Sequence, residues 1–389
     1  MTRVRLLGLV VAAALVLTGC GGDRRASQPG GRERTGSVAP ELGRKLQRAL
    51  DQQRAFYELP GIAASVVIPE EGTWSGGSGV ADRRSGARVT PQTPFAIASI
   101  TKAFVGALAV KLADDGRVDL DEPLSRTLPD WPDAGQITLR QLLAQRSGVS
   151  RFDETPDSPV IRAIDRRPGA QWSPRRVLSY ARAPEFRPGR RWQYNNANYL
   201  LAGLVLEQAT HESVERALRR EILDPLRLRD VVLQPDERAP ADAAHGYAGA
   251  AGRRDVTRGT GYVPYRSAAS SAWTSGGMVA SAPSVAAFGD AVMRGSLLGT
   301  SGRRQLTAFE DTGGEPVYVG YGLGIGQIPS NRLSTPLWGA VGAFPGFGSV
   351  LGHLPGKGIT VAVLANRDGS TRITVAISEI LLETATGRG

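Results

Sequence analysis

Cysteine is almost missing from this chain: Cys20 is the only one in 389 residues. No intramolecular disulfide can form, and no cysteine-based metal site can be assembled. Histidine is nearly as scarce. His211, His245 and His353 lie far apart and show no His-Glu-x-x-His or related ligand spacing. Neither a metal nor another cofactor is therefore expected. A Ser-His-Asp triad would have to use one of these three, and none sits in a recognisable catalytic context. Lysine occurs only at Lys45, Lys102, Lys111 and Lys357, so nearly all of the positive charge is arginine. The formal net charge is +10, yet no run reaches five basic residues. Arginines are scattered, often in pairs such as Arg166-Arg167 and Arg219-Arg220, with acids nearby. A solvated basic surface fits this pattern, with weak attraction to anionic lipid or cell wall as a second reading; no nucleic-acid partner is expected.

Long apolar runs are confined to the start. Arg3 and Arg5 precede the run from Leu6 to Leu17, which closes on Leu17-Thr18-Gly19-Cys20. A basic start, a short apolar core and a small-residue exit make a secretory signal, here 1–19. The run is too short for a comfortable transmembrane span. Leu-Thr-Gly-Cys resembles the bacterial lipobox, which implies that Cys20 is lipidated and holds an exported protein to the outer face of a membrane. The following stretch, 20–40, is rich in Gly, Ser, Pro and Arg without hydrophobic periodicity, and reads as a tether.

Beyond it, composition is that of an ordinary globular protein, 41% hydrophobic and 22% charged. Leu42, Leu46, Leu50 and Phe56 are spaced for a helix. Apolar, β-branched residues from Ile62 to Ile68, a Glu70-Glu71-Gly72 turn and a return to Ala81 predict a hairpin. A helix is expected from Thr101 to Asp115, stopped by Gly116. From Leu120 onward the pattern is helical and loop-rich. Strands return at Phe347–Leu354 and Ile359–Ala365, around the turn Pro355-Gly356-Lys357-Gly358, and a final helix runs from Thr371 to Thr384. Strands at both ends around a helical middle predict an α/β fold: an antiparallel sheet flanked by N- and C-terminal helices, with a mostly helical insert. The expected sheet domain is 41–119 plus 271–389, and the insert 120–270.

The chemistry-bearing segment is Ser99-Ile100-Thr101-Lys102, at the predicted start of a helix. Three residues make most of a turn, so Ser99 and Lys102 share a face. The amine, or a base behind it, can take the serine proton as its oxygen attacks. The helix N-terminus favours developing negative charge. Alone, the pattern also fits an N-cap serine and a surface lysine. A second segment, Tyr194-Asn195-Asn196, follows Phe186-Arg187-Pro188-Gly189. A tyrosine in a polar turn is usually structural, but beside a cation it can act as a base.

Taken together these segments resemble the serine hydrolases related to class C β-lactamases and D-alanyl-D-alanine carboxypeptidases. Ala96–Lys102 resembles the first box of that family. Ile137–Leu143 followed by Ser147-Gly148 resembles the helix before the cleft, and Pro188 to Tyr199 the Tyr-x-Asn box. Tyr321-Gly322-Leu323-Gly324 and Gly342–Phe347 resemble its late strands. The resemblance covers roughly residues 45–385. It implies that Ser99 is acylated, that Lys102 and Tyr194 handle its proton, and that Asn196 binds the substrate amide. It further implies an oxyanion hole from the backbone N–H groups of Ser99 and Ala343, next to Gly342. The implied substrates are small acyl or peptide compounds. One departure stands out. The third box usually begins with Lys or His, and here it reads Ala340-Val341-Gly342. The missing polar side chain puts recognition of a substrate carboxylate in doubt, and His353, on the next strand, is a poor substitute. A lesser departure is Gln145, where relatives often carry His. Three functions remain in view: a peptidase, β-lactamase-like enzyme or esterase; a penicillin-binding-like protein with impaired turnover; and a tethered envelope protein without activity.

Overall fold

The computed structural model describes residues 36–387, apart from 153, 154, 156, 182, 250, 251, 258 and 260. The expected signal sequence, Cys20 and the first part of the expected tether lie outside the described residues. The end of that tether does not behave as one: Ser37 bridges Thr73, and Val38 is buried. An apolar side chain and a backbone pairing tie this stretch to the sheet before the first helix begins.

Helix α1 (Pro40–Phe56) starts with proline in its first turn, where the missing N–H is no loss. Leu46 and Leu50, four apart on one face, are fully buried, each contributing about 1.5–3 kcal/mol by burial. The chain then forms the hairpin β1 (Gly61–Ile68) and β2 (Gly72–Gly79). The remaining sheet strands all come late: β3 (Glu310–Asp311), β4 (Gly320–Tyr321), β5 (Gly326–Ile328), β6 (Leu337–Phe344), β7 (Phe347–Leu354) and β8 (Ile359–Ala365). Their spatial order is β2-β1-β8-β7-β6-β5-β4-β3, and every neighbouring pair is antiparallel. The N-terminal hairpin thus closes against the last strand.

Period-two alternation sends side chains to two cores. Ile62, Ala64, Val66, Val361 and Val363 face α1 and the C-terminal helix α6 (Thr371–Ala385). Ala63, Leu351, Ala362 and Leu364 face the other way. There they join one continuous apolar cluster with Phe104, Leu139, Leu200 and Phe288 from the helical part of the chain. The helices completing that layer are α2 (Thr101–Asp114), α3 (Asn196–Thr210), α4 (Arg266–Gly276) and α5 (Ala282–Arg294). The expected architecture is the one found. Helix α2 is apolar nearly all round, as a central helix must be. The loop after β4 packs against it: a Cβ at Gly324, where φ is +98°, would lie 2.4 Å from the carbonyl oxygen of Lys102. Among the described residues, no helix is long and apolar enough to cross a membrane.

Candidate active site

Ser99 lies in a 3₁₀ turn, Ala98–Ile100, that leads directly into α2. Ala98 has φ +49°, a left-handed conformation unfavourable for a residue with a Cβ. Such conformations persist only where the surroundings hold them. Here Thr101 Oγ1 donates to the Ala98 carbonyl at 2.7 Å and Ser349 Oγ donates to the Ile97 carbonyl at 2.8 Å. The Ile97 N–H donates to Met278 O at 3.0 Å. The turn is therefore fixed from its own helix, from β7 and from the short strand Met278–Ala280.

Lys102 follows one turn later and is 1% exposed. Its Nζ donates to Ser99 Oγ at 3.1 Å, to Asn196 Oδ1 at 2.8 Å and to the carbonyl of Ser275 at 2.5 Å. It also sits 4.9 Å from the ring centre of Tyr194 and 5.4 Å from that of Tyr199. Tyr194 Oη lies 2.8 Å from Ser99 Oγ. One hydroxyl thus has an amine and a phenol on it, and the amine is held by residues from two other helices. Tyr199 plays a different part. Its hydroxyl donates to Leu143 O at 2.8 Å, and burial pushes its phenol well up, so it stays neutral. Among the described residues, no histidine bonds Ser99. His245 pairs with Asp255 at 2.7 Å, and His353 with Thr360 at 2.9 Å.

Two supports carried little or no weight in the sequence. The first is Gln145, fully buried with φ +61°. Its Oε1 accepts from Asn195 N–H at 3.0 Å and from Asn198 Nδ2 at 2.6 Å, and its carbonyl accepts from Gln193 N–H at 2.9 Å. The residues on both sides of Tyr194 are thereby held by one side chain and its own backbone. Asn195 completes the latch: its Oδ1 caps α3 on Ala197 N–H, and its Nδ2 donates to Val149 O at 2.6 Å. The second support is the Ser275 carbonyl, which has no side-chain signature at all. It follows Trp273, whose φ of +36° kinks α4. The Trp273 indole N–H is held by buried Glu215 at 2.9 Å.

The third box lies on β6. Gly342 pairs with Ser349, and a Cβ on it would fall 2.5 Å from the Ile97 carbonyl oxygen and 3.0 Å from Ala98 Cβ. The glycine thus lets the strand lie against the turn that carries Ser99. Pairing between β5 and β6 stops at Gly339, and the Val341 N–H donates outward to Tyr318 Oη at 3.0 Å. Alternate residues of a strand point their N–H groups the same way, so the Ala343 N–H also faces this open edge. Ala340 is 2% exposed and belongs to the apolar cluster. His353 is opposite Trp338, four residues along from the Ser349 pairing, which places it about 14 Å farther down the sheet. Burial pulls its imidazole down to about 4.

A cavity of about 230 Å³ opens beside these groups. Asn196, Ser275, Ala343 and Phe344 line it together with Ile164 and Tyr265. The arrangement can bind an acyl group next to Ser99, take the serine proton, and offer an N–H to a developing oxyanion.

The beta-lactamase family model matches residues 46–385, nearly all of the described chain. Protein flp of Staphylococcus aureus (strain N315) is 31% identical over 210 residues, 52% of this chain and 41% of that protein. Teichoic acid D-alanine hydrolase of Staphylococcus aureus is 27% identical over 190 residues, 47% of this chain and 44% of that one. The chain therefore spans under half the length of these curated relatives. The crystal structure of D-amino acid amidase from Ochrobactrum anthropi SV3, complexed with L-phenylalanine amide, superposes with a TM-score of 0.78 at 25% identity. That match covers 89% of this chain and 99% of the amidase. The chain belongs to the beta-lactamase family.

Proposed function

We propose that this beta-lactamase family member hydrolyses D-amino acyl amides or esters through an acyl-enzyme on Ser99. The observation that carries the assignment is the pair of contacts on Ser99 Oγ, from Lys102 Nζ at 3.1 Å and Tyr194 Oη at 2.8 Å. Tyr194 and Lys102 take the hydroxyl proton as Oγ bonds the acyl carbon. The same proton passes to the departing amine or alcohol as the acyl–leaving-group bond breaks. Water then attacks the acyl-enzyme, giving up a proton to this pair; as the acyl–Oγ bond breaks, that proton returns to Ser99 Oγ and the acid is released. Asn196 holds Lys102 and the substrate amide. The N–H groups of Ser99 and Ala343 bind the oxyanion, each contributing about 3–4 kcal/mol to the transition state.

The apolar third box narrows the substrate. Where the third box of relatives carries a polar side chain, this chain has Ala340, an apolar residue packed into a buried cluster, which offers no partner to a leaving-group carboxylate. Peptides ending in D-alanine and penicillins carry such a group; amides such as the one named with the amidase, and simple esters, need not. Amidase or esterase action is therefore favoured over carboxypeptidase or β-lactamase action.

A fluorophosphonate probe and a labelled penicillin test the reading, each on wild type and Ser99→Ala. Wild type should take up the fluorophosphonate and turn over a D-alanyl p-nitrophenyl ester, and Ser99→Ala should do neither. Labelling that survives in Ser99→Ala would remove the nucleophile. A penicilloyl adduct lasting hours, without ester turnover, would favour the slow-turnover reading. We further propose export and lipid anchoring at Cys20, on the strength of Leu17-Thr18-Gly19-Cys20. Cys20→Ala should move the protein from the detergent to the aqueous phase of a Triton X-114 partition. Unchanged partitioning would remove the anchor.

A further inference from the structure

The cavity beside Ser99 has a largely apolar wall with a few polar groups and one charged side chain. Phe152, Ile161, Ile164, Val177 and Phe344 form most of its wall, and Asp165 is the one charged side chain among the described residues that line it. Ile161, Ile164 and Asp165 come from the short helix Pro159–Arg166. Their spacing of three and four puts them on one face, toward the cavity. Among the described residues Asp165 makes no ion pair within salt-bridge distance. Its Oδ1 accepts from the Tyr265 hydroxyl at 2.5 Å, and Tyr265 is itself a lining residue. The same cavity reaches Asn196 and Ser275, the two groups that hold Lys102. It therefore connects the acylation centre to a single negative charge across an apolar wall.

We propose that Asp165 selects acyl donors that carry a primary ammonium group on an apolar acyl chain, accepting a charge-assisted hydrogen bond from it. This rests on the acyl-enzyme reading above. A carboxylate with one oxygen on a tyrosine hydroxyl keeps lone pairs for a second donor. An ammonium at the end of the slot gains a charge-assisted hydrogen bond from this carboxylate, and a neutral or anionic donor gains nothing there. The ammonium could be the α-amine of the acyl residue or one at the end of its side chain. The chemistry is shared, and the substrate set separates the two.

The test measures kcat/KM on the full-length protein with four p-nitroanilides. D-norleucine carries only the α-amine, N-acetyl-D-lysine only the side-chain amine, D-lysine both, and N-acetyl-D-norleucine neither. In wild type at least one singly charged donor should exceed the neutral one by about tenfold, and the donor that does so identifies the ammonium. In Asp165→Asn that ratio should fall to near one, and in Asp165→Lys below one. The position is solvent-exposed, and urea unfolding of both variants separates loss of the Tyr265 bond from loss of donor preference. Equal rates for charged and neutral donors in wild type would overturn the proposal. So would a preference that persists in Asp165→Asn and Asp165→Lys. Either result, with turnover still dependent on Ser99, leaves the acyl-enzyme reading standing. Loss of Ser99-dependent turnover for all four donors would overturn both.

Discussion

The two walls of the cleft are built from opposite materials. On the wall made by α2, α3 and α4, Ser99, Lys102, Tyr194 and Asn196 form a polar set in which each side chain bonds another. On the β6 wall the corresponding positions are Ala340, Gly342 and Ala343, which offer only backbone groups. Proton transfer needs side chains at hydrogen-bond distance, and that wall is complete. Oxyanion binding needs only N–H groups, and the strand edge supplies one. What β6 does not supply is a charge for a substrate carboxylate. On the proposed function, bond breaking and substrate choice fall on different walls, and each can be altered without the other.

The largest effect should come from the polar wall. Lys102→Met keeps the length of the side chain but removes every bond to Ser99, Asn196 and Ser275. Turnover of a D-alanyl ester should fall by about 10²–10⁴-fold, read from initial rates. A loss under tenfold would leave Tyr194 to do the work without the lysine. The next step tests the latch behind that wall. Gln145→Leu leaves the Asn195 N–H and the Asn198 amide buried without their acceptor, at a cost of about 1–3 kcal/mol each. Urea unfolding should show that loss. The rate should drop about tenfold with little change in KM, because Tyr194 is misplaced while the cavity is intact. Unchanged kinetics with lowered stability would make Gln145 purely structural.

The apolar wall should respond to gain rather than loss. Ala340→His places an imidazole where the third box of relatives has a polar group. It should raise kcat/KM for donors with a leaving-group carboxylate by roughly three- to tenfold relative to matched amides. If the ratio does not move, Ala340 is not what excludes the carboxylate. The smallest effect concerns His353, on the same sheet but away from the cleft. Its folded-state pKa of about 4 lies below the ordinary 6.5. The unfolded chain therefore binds the proton first as pH falls. The stability contribution is present above pH 6.5 and is lost as pH drops toward 4, by roughly 2 kcal/mol between pH 7 and 5. His353→Gln should flatten that part of the urea-unfolding profile without changing donor preference.

How far the sequence reached follows the same division. The nucleophile turn, the α2 helix and the strands Phe347–Leu354 and Ile359–Ala365 were legible because their signals are local: a four-residue motif, an apolar helix, β-branched runs. Tyr194 and Asn196 could be matched to Ser99 only through the resemblance, since 95 residues separate them. Gln145 was legible as a departure but not as a latch, because its partners lie about fifty residues on. The Ser275 carbonyl left no trace, as a backbone acceptor has no residue type. Gly342 was legible as part of the third box, but not as the opening that admits the protein's own Ile97–Ala98 turn. The short strands β3, β4 and β5 are two or three residues long, too brief for alternation to show.

The separation of the two walls is tested most directly by one competition. Wild-type protein is offered D-alanine amide and D-alanyl-D-alanine together at equal concentration, and free D-alanine and ammonia are followed by mass spectrometry and enzymatic assay. Ammonia release should exceed dipeptide cleavage by about tenfold or more, with both abolished in Ser99→Ala. Dipeptide cleavage equal to or faster than amide cleavage would contradict that separation, because the apolar third box would then be no barrier to a carboxylate.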